Sequence, residues 1–442
     1  MDVGASRSRA LYFMGAVLAG AFYMPLRDHV GPWVYQALLL PATLTLIFCV
    51  WRLLGPEATV GSNFASRFSW PALLGSAGFL MQGLTLLSLP VIVHKFRAFD
   101  YLPDWKVLGG GYGLSMAAFA YLGWRGHQGR GAWVALVLGS YAFGMLASIA
   151  YFPLDTGRSD MLFMLRSAGD ALIQHGVGAV YTHPPDGIQV NYLPGLWISY
   201  FPATWAGMDL RIVSLLAAIG ACALLLAAAP KRLVLLPIFL AACLILSPWF
   251  QFRHEAYVHG LLFFGALLGF AVVRERFWLA SLSAAWLAAM SQLAWPMIPF
   301  YFLYLIKRRA WGSLAFALGA LLAAGLVVLP FALATPAQLW ENCFGGWLRG
   351  FDADSPNLSF WITRILPWQY LHHFQAFVLA GIFFYAVRRM RVASAADFFK
   401  WSSLALLFFV TSNSPVRDYF FYFPFLFLAF SLCSPPRPAT ST

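Results

Sequence analysis

The sequence predicts an all-α, polytopic transmembrane protein, and three observations support this prediction. Apolar residues make up 61% of the chain and charged residues only 10%, whereas an ordinary soluble domain has roughly half and a quarter. The mean hydropathy is +0.71. The apolar residues also stand in long runs, as helices that cross a bilayer require. We therefore expect the lipid bilayer to be the main solvent of this chain.

The apolar runs mark the candidate membrane spans. A helix needs about 20 largely apolar residues to cross a bilayer, so a chain of 442 residues has room for about 12 to 14 membrane segments. The runs cover residues 10–26, 31–51, 71–93, 107–123, 132–154, 211–229, 233–248, 257–273, 277–306, 310–334, 374–387, 401–413 and 418–434.

Two stretches depart from simple spans. The run 277–306 is too long for one helix and is interrupted at Trp295, Pro296 and Pro299, which predicts a hairpin of two short helices. The stretch 192–206 is short and contains two prolines. It predicts a half-buried or re-entrant helix, which needs protein neighbours or a cavity at membrane depth.

The first apolar run follows the short basic stretch from Ser6 to Arg9. Such a stretch is typical of a signal peptide, but no clear small-residue cleavage site follows it. We expect a retained first helix.

The distribution of charge predicts the orientation. The formal net charge is +12, and the lysines and arginines are scattered in short loops rather than gathered in one patch. This pattern favours positive-inside bias over nucleic-acid binding, so we expect no nucleic-acid partner. We expect a multi-pass protein of the inner (plasma) membrane. Its cytoplasmic clusters are Arg125 with Arg130, Lys231 with Arg232, Arg274 with Arg276, Lys307 with Arg308 and Arg309, and Arg388 with Arg389 and Arg391.

The longest polar loops, 155–193 and 335–370, then emerge on the face opposite these clusters, together with the short loops 248–256 and 413–418. We expect that face to carry the chemistry. The five cysteines contain no C-x-x-C pair, so neither a disulfide framework nor a zinc site is expected. They are Cys49, Cys222, Cys243, Cys343 and Cys433.

The loop 155–193 contains the most informative pattern. Apolar residues recur at helical intervals over 160–175, which predicts an amphipathic helix lying along the membrane surface. The apolar positions are Met161, Met164, Leu165, Ala168, Leu172 and Ile173, and the polar positions are Arg166, Asp170 and Gln174.

The acidic residues before this helix have two interpretations. Ser159 or Asp160 suits the helix N-cap. The same carboxylate is also placed to act as a general base, because burial near lipid raises a carboxyl pKa toward the working range and an acceptor hydroxyl needs deprotonation.

The order of motifs in this loop resembles a known family. An aspartate after a spanning helix is followed by "SAGDALIQHG", then by "VYTH", then by "NYLPG" at the next membrane segment. This order is similar to the first external loop of the GT-C superfamily of membrane glycosyltransferases, which use polyprenyl-phosphate-linked sugars. Tyr192, Leu193 and Pro194 resemble the Tyr-x-Pro sequence of its mannosyltransferase-type branch. The resemblance covers about 155–434.

Two features depart from the family pattern. The family often has a lysine in the segment that matches "MSQLAWP", where this chain has Gln292. The family's loop usually follows the first helix, whereas here it follows the fifth. We therefore interpret residues 1–131 as an N-terminal group of four transmembrane helices, accessory in role, and residues 132–442 as the GT-C-like catalytic core.

The resemblance implies roles for individual residues. Asp160 takes the position of the catalytic aspartate, the base that activates the acceptor hydroxyl for inverting displacement at the anomeric carbon. Asp155 is the second candidate. The oligosaccharyltransferase branch has a metal-binding Asp-x-Asp motif here, and the spacing of Asp155 and Asp160 breaks it. Neither a metal nor another cofactor is implied.

A lipid-phosphate leaving group needs cationic hydrogen-bond donors. The favoured candidates are Arg417 and Arg253, and His254, Arg364 and Arg349 are further candidates. Each arginine has the alternative role of a snorkelling or solvated side chain.

Other residues on the expected outer face remain open. Glu255 with His254 and His259 is either a second acid site or a metal pair, although no third strong ligand is visible. Asp352 and Asp354 lie in a Gly-rich loop that favours a solvated turn. Tyr192 is a candidate substrate-binding residue, and the tryptophans at 340, 347, 361 and 368 suit an interfacial belt or a sugar-stacking role.

Three functions follow from these patterns. The first is a glycosyltransferase that moves a sugar from a polyprenyl-phosphate donor to a lipid-linked or polysaccharide acceptor on the non-cytoplasmic face. The second is a transporter or flippase of a lipid-linked precursor, which inverted repeats and mid-membrane charges would favour. The third is a glycan-to-lipid ligase, for which His372 and His373 beside the large loop are candidates.

Overall fold

The protein is helical throughout its described part. The computed structural model describes residues 3–21, 32–54, 69–95, 105–151, 161–182, 189–230, 235–247, 258–345, 358–390, 394–413 and 418–434, and these residues form no strand. An all-helical chain suits a bilayer, because a helix satisfies its backbone hydrogen bonds internally. The all-α fold class is therefore confirmed for this part of the chain.

Eighteen α-helices follow one another along the described ranges. They are α1 Val3–Ala21, α2 Pro32–Leu54, α3 Trp70–Lys95, α4 Trp105–Trp124, α5 Arg130–Tyr151, α6 Met161–His175, α7 Pro194–Trp205, α8 Leu210–Ala228, α9 Leu236–Ile245, α10 Val258–Val273, α11 Phe277–Met290, α12 Ile298–Lys307, α13 Trp311–Ala334, α14 Pro336–Trp340, α15 Leu358–Ile365, α16 Leu371–Arg389, α17 Ala395–Ser412 and α18 Tyr422–Cys433. Short 3-10 turns lie at Val177–Ala179, Gln292–Met297, Trp368–Tyr370 and Asp418–Phe421, and a π-turn lies at Glu341–Gly345.

Within the described residues, four helices are long and apolar enough to cross a membrane: Trp70–Ser88, Arg130–Tyr151, Leu210–Ala228 and Trp311–Ala334. Only 17% of the last window is buried. Its exposed leucines include Leu322 at 74% and Leu326 at 64%. Such an exposed apolar surface suits contact with lipid.

The structure supports only part of the predicted set of spans. Several predicted spans are short apolar helices, among them α9 with 10 residues, α18 with 12 and α10 with 16. A 10-residue helix is about 15 Å long, half of a hydrocarbon core of about 30 Å. Every residue of α9 is buried. The structure thus shows four candidate spans in its described part, and the total of 12 to 14 membrane segments stays a prediction.

The predicted hairpin at 277–306 is confirmed. Helix α11 ends at Met290, a 3-10 turn follows, and α12 begins at Ile298. The Tyr301 hydroxyl donates to the Phe277 carbonyl at 3.2 Å, and the rings of Phe277 and Tyr304 lie 6.1 Å apart. The two short helices therefore fold back on each other, with Pro296 in the turn.

The first helix begins earlier than the predicted apolar run. Helix α1 starts at Val3, so Arg7 and Arg9 belong to the helix rather than to a flanking stretch. Arginine is a good helix former, and nothing in this stretch interrupts helical hydrogen bonding.

The described basic clusters gather at one end of the bundle, which we call the basic end. Arg308 pairs with Glu275, and the Arg130 guanidinium donates to the Leu226 carbonyl at 3.5 Å. Arg274 also donates to a carbonyl of α8. Arg389 lies close enough to Lys400, near the start of α17, for their positive charges to repel each other. The arrangement agrees with the clustering that the positive-inside rule predicts.

The first four helices pack directly on the rest of the chain. The rings of Phe13 and Phe425 lie 6.3 Å apart, and the Thr85 hydroxyl is 3.4 Å from the Leu246 carbonyl oxygen. One buried apolar cluster includes residues from both sides of position 131. The division into an accessory group and a catalytic core remains a prediction.

Helix α7 confirms a helix within the ambiguous stretch 192–206. It starts at Pro194 and keeps Trp197 and Tyr200 fully buried. Its Ser199 hydroxyl accepts from the Trp286 indole at 3.0 Å. This short proline-containing helix is therefore covered by protein, as irregular segments at membrane depth require.

The contact between α7 and α11 predicts a stability effect. A Cβ at Gly195 would lie 2.7 Å from the carbonyl carbon and oxygen of Ala289. We expect Gly195→Ala to destabilise the protein by about 1 to 3 kcal/mol, because backbone must move. Gly319→Ala is the matched control, since a Cβ there meets nothing within 4 Å. Thermal unfolding in detergent should show a lower midpoint for the first variant alone, and equal midpoints would contradict the packing.

Candidate functional site

Most predicted site residues lie outside the described residues. These are Asp155, Asp160, Arg253, His254, Glu255, Arg349, Asp352, Asp354 and Arg417, whereas Tyr192 and Arg364 are described. Several described residues that border those segments, among them Ser247, Ser412 and Tyr422, lie at the end of the bundle opposite the basic end. We call this the loop end.

Hydrogen bonds join the borders of these segments at the loop end. The hydroxyls of Ser247 and Tyr422 lie 2.6 Å apart, which links the end of α9 to the start of α18. The Gln375 amide nitrogen donates to the Ser412 hydroxyl at 3.1 Å, which links α16 to the end of α17. Gly260 of α10 faces the Tyr200 ring of α7.

The amphipathic helix predicted at 160–175 is confirmed as α6, Met161–His175. Met164 and Leu165 are buried, as predicted. Ile173, on the same apolar side, is 51% exposed. The buried face contains small residues instead, and Gly169 allows a close approach to Thr204 of α7, where a Cβ would lie 2.9 Å from the threonine methyl.

A hydrogen-bonded cluster holds the loop that follows α6. The Tyr181 hydroxyl donates to the Tyr192 carbonyl at 2.7 Å, and the Trp197 indole donates to the Tyr181 hydroxyl at 3.4 Å. The Asn342 amide donates to the Tyr181 carbonyl at 3.2 Å. Phe331 packs edge-on against both rings, of Tyr181 and of Trp197. We call these five residues the Tyr181 clasp, and it joins α7, α13 and the π-turn.

Gln292 adds a further link to the π-turn. Its side-chain nitrogen donates to the Cys343 carbonyl at 2.9 Å, so it fastens the turn between α11 and α12 to the segment after α14. Burial raises the pKa of the Cys343 thiol to about 12, although a hydrogen bond with Tyr181 lowers it in part. A protonated, buried thiol packs as a small apolar group rather than acting as a nucleophile.

Three aromatic rings form a ledge beside the clasp. Phe344 lies 5.0 Å from Trp340 in a stacked arrangement and 5.7 Å from Trp295. Trp340 is 58% exposed and Trp295 is 45% exposed. The Trp295 indole donates to the Ala288 carbonyl at 2.9 Å, which fixes its ring. Exposed, fixed tryptophans suit either the membrane interface or a flat ligand face.

A buried ion pair lies at the start of α8, close to Arg166 of α6. Arg211 is 3% exposed and binds the Asp209 carboxylate, which is itself the N-cap of α8. Burial raises the pKa of Asp209, but the hydrogen bonds and charge of Arg211, together with the charge of Arg166 on α6, bring that pKa below its usual value. Asp209 therefore carries its charge at neutral pH, and it faces two cations, Arg211 of α8 and Arg166 of α6.

This pair predicts a large stability difference between two carboxylates. We expect Asp209→Ala to destabilise the protein by about 3 to 5 kcal/mol, because it removes the carboxylate that binds the buried Arg211 guanidinium. Glu275→Ala is the control, since the Glu275–Arg308 pair is 60% and 32% exposed and such pairs contribute about 0 to 1 kcal/mol. Denaturation in detergent measures both, and equal losses would contradict the assignment.

The same pair predicts a pH dependence with a defined sign. A carboxylate with a lowered pKa stabilises the fold fully above its unfolded value of about 4. The stabilisation is lost as the pH falls through the lowered pKa of Asp209. The stability difference between wild type and Asp209→Ala should therefore shrink only at acidic pH.

The two described candidates differ in setting. Arg364 is exposed in the last turn of α15, whereas Tyr192 is half-buried with its carbonyl held by the clasp. The structure does not bring them into a common contact. His372 bonds Gln375 through its Nδ1 at 3.0 Å, and His259 is fully buried.

Within the described ranges, His, Cys, Asp and Glu side chains form no group of three that can hold a metal ion. His254 and Glu255 lie outside those ranges. All five cysteines are described, and all are free and buried, which confirms the expectation of no disulfide.

Sequence patterns missed the clasp and the ion pair. Asn342 and Tyr181 are 161 residues apart, so no local pattern relates them. Asp209 was detectable, because an aspartate directly before an apolar run is a helix N-cap signal.

Comparisons of this chain with family models, with curated proteins and with solved structures found no match.

Proposed function

We propose that this chain is a membrane glycosyltransferase that moves a sugar from a polyprenyl-phosphate donor to a lipid-linked or polysaccharide acceptor at the loop end. One observation carries the proposal. The described borders of the segments that contain Arg253 and Arg417 are in contact through Ser247 and Tyr422, at the end opposite the basic end. Helix α5 starts at the basic end with Arg130 and runs to Tyr151, just before the segment that contains Asp160. Chemistry on the non-cytoplasmic face needs this arrangement.

The proposed reaction is a single displacement. Asp160 takes the proton of the acceptor hydroxyl, whose oxygen forms a bond to the anomeric carbon while the bond from that carbon to the phosphate oxygen breaks. The lipid phosphate leaves with the bonding electrons, and the anomeric configuration inverts. A base of this kind contributes about two to four powers of ten in rate.

The packing of α6 supports the placement of such a base. Met161, the residue after Asp160, opens a helix that small-residue packing holds against α7 and that the Asp209 pair faces from α8. The Tyr181 clasp fixes the other end of the same loop. Catalysis depends on reactive groups being held in position by their neighbours, since small misplacements are costly.

The leaving phosphate requires cations on the same side. Arg417 and Arg253 are the proposed partners. Arg253 follows Ser247 and Arg417 precedes Tyr422 in the sequence, and the hydroxyls of Ser247 and Tyr422 are in contact. Glu255 and His254 adjoin Arg253 in the sequence, and Arg364 supplies a further exposed charge. Charge-assisted hydrogen bonds from such groups stabilise the negative charge that builds on the phosphate. Tyr192 and the aromatic ledge are the proposed contacts for the sugar face.

Purified protein in proteoliposomes tests the proposal. A set of radiolabelled polyprenyl-phosphate sugars, including mannose, is supplied with an envelope lipid and glycan extract as acceptor. The expected result is label in the acceptor fraction and free polyprenyl phosphate, with Asp160→Asn as the inactive control. Movement of intact donor between leaflets without cleavage would favour the flippase instead. If the donor is not consumed and its sugar is not transferred, the proposal is overturned.

A further inference from the structure

A groove lies between α3 and α4, beside the end of α4 that leads to Arg125. It has a volume of about 490 Å³ and opens to the surroundings. Its lining is apolar apart from one serine, and it consists of Ala72, Gly75, Ser76, Phe79, Leu80, Ala120, Gly123 and Trp124. No predicted function of the chain uses this groove.

Two glycines create the groove. A Cβ at Gly75 would lie 2.7 Å from the Phe119 carbonyl oxygen and 2.8 Å from the Gly123 Cα, so α3 and α4 touch backbone to backbone there. Small residues beside the contact leave open space. The larger side chains of Phe79 and Trp124, 42% and 82% exposed, project at its edges.

The mouth of the groove is cationic. Arg125 follows Trp124 and is exposed in the turn after α4. Helices α3 and α4 and the turn 125–129 contain no acidic residue, so nothing in these segments offsets the charge. Tryptophan and arginine are the residues that sit at the headgroup level of a bilayer.

The dimensions favour a lipid chain over a second helix. From Ala72 to Leu80 the groove runs about 12 Å along α3, close to one leaflet's share, about 15 Å, of the hydrocarbon core. The cation at the mouth adds a contact that an anionic headgroup meets and an apolar helix does not. With Trp124 and Arg125 at the headgroup level, a groove of this length would reach toward the bilayer centre.

From these observations we infer that the groove between α3 and α4 binds one acyl chain of an anionic phospholipid, whose phosphate contacts Arg125. The basic end gathers cations that attract such lipids in the cytoplasmic leaflet. The site is separate from the proposed donor site, which lies at the opposite end.

Native mass spectrometry of the purified full chain tests this inference, with phosphatidylglycerol and phosphatidylcholine of identical chains as probes. Wild type is expected to retain one phosphatidylglycerol more strongly. Arg125→Gln should weaken that lipid about fivefold, corresponding to about 1 kcal/mol per cation near the surface, and leave phosphatidylcholine unchanged. Ala120→Phe fills the groove and should weaken both lipids. Arg276→Gln, an exposed arginine of another turn at the basic end, is the control with no effect.

Three results would overturn the inference. Equal retention of both lipids by wild type and Arg125→Gln removes the role of charge. Unchanged retention in Ala120→Phe removes the groove. Loss of a dimer in Ala120→Phe, with lipid retention intact, assigns the groove to a second copy of the chain. Donor transfer by these variants separates this inference from the proposed function, because neither variant alters the loop end.

Discussion

Replacing Asp160 with Asn is expected to lower sugar transfer by about two to four powers of ten. The variant keeps the size of the side chain and much of its hydrogen bonding, but it removes the charge that accepts the proton. Donor affinity should stay close to wild type, because the base acts on the acceptor hydroxyl and not on the lipid phosphate. A fall in turnover without a fall in binding marks a group that acts mainly in the transition state.

Asp155→Asn is the matched control, since it removes the neighbouring carboxylate of the same loop. We expect it to retain most of the transfer activity. Turnover is measured with labelled donor, and donor binding is followed separately. Normal turnover in Asp160→Asn together with loss in Asp155→Asn would move the base to Asp155. Normal turnover in both would remove the carboxylate mechanism from this loop.

Replacing Arg417 with Ala is expected to weaken donor affinity and rate together. The lipid phosphate is anionic before and after transfer, so its cationic partner contributes to ground-state binding as well as to the transition state. The loss should be about 1.5 to 3 kcal/mol, as for a hydrogen bond to a charged group. This corresponds to roughly a ten- to hundredfold change.

Arg276→Ala is the control for Arg417→Ala, because it removes an exposed arginine from the basic end. It should leave donor affinity unchanged. Titration of binding with a polyprenyl phosphate separates the two arginines. Equal affinities in wild type and Arg417→Ala would assign the phosphate contact to Arg253. Normal donor affinity in the double variant of Arg417→Ala and Arg253→Ala would contradict the phosphate site.

The sequence anticipated the helical class and the character of α6, because hydrophobicity and helical period are local properties. The number of spans that the same patterns predict stays a prediction, because four helices of the described part are long and apolar enough to cross a membrane. A fully apolar run such as 233–248 predicts that the segment is buried, but not whether it crosses the whole bilayer. Helix α9, within this run, extends over Leu236–Ile245 and is buried in the bundle. Periodicity identified the side of α6 that faces the protein at Met164 and Leu165, whereas Ile173 in the last turn is 51% exposed.

The site was less accessible to sequence analysis, for a physical reason. The hydrogen bonds of the clasp connect positions that are distant along the chain, and Gln292 contacts a carbonyl 51 residues later. Such pairs form only when α7, α13 and the π-turn are packed together. The predicted roles of Asp160 and Arg417 stay predictions, since both residues lie outside the described ranges.

The measurement that tests the account most directly is the sidedness of two introduced cysteines. The five native cysteines are buried, so a membrane-impermeant maleimide has little background. In sealed right-side-out vesicles, Asp160→Cys is expected to react from outside, whereas Arg308→Cys, at the basic end, should react only after the vesicles are opened. Labelling of both positions from the same side, or of Asp160→Cys from the cytoplasmic side alone, would contradict a catalytic face opposite the basic end.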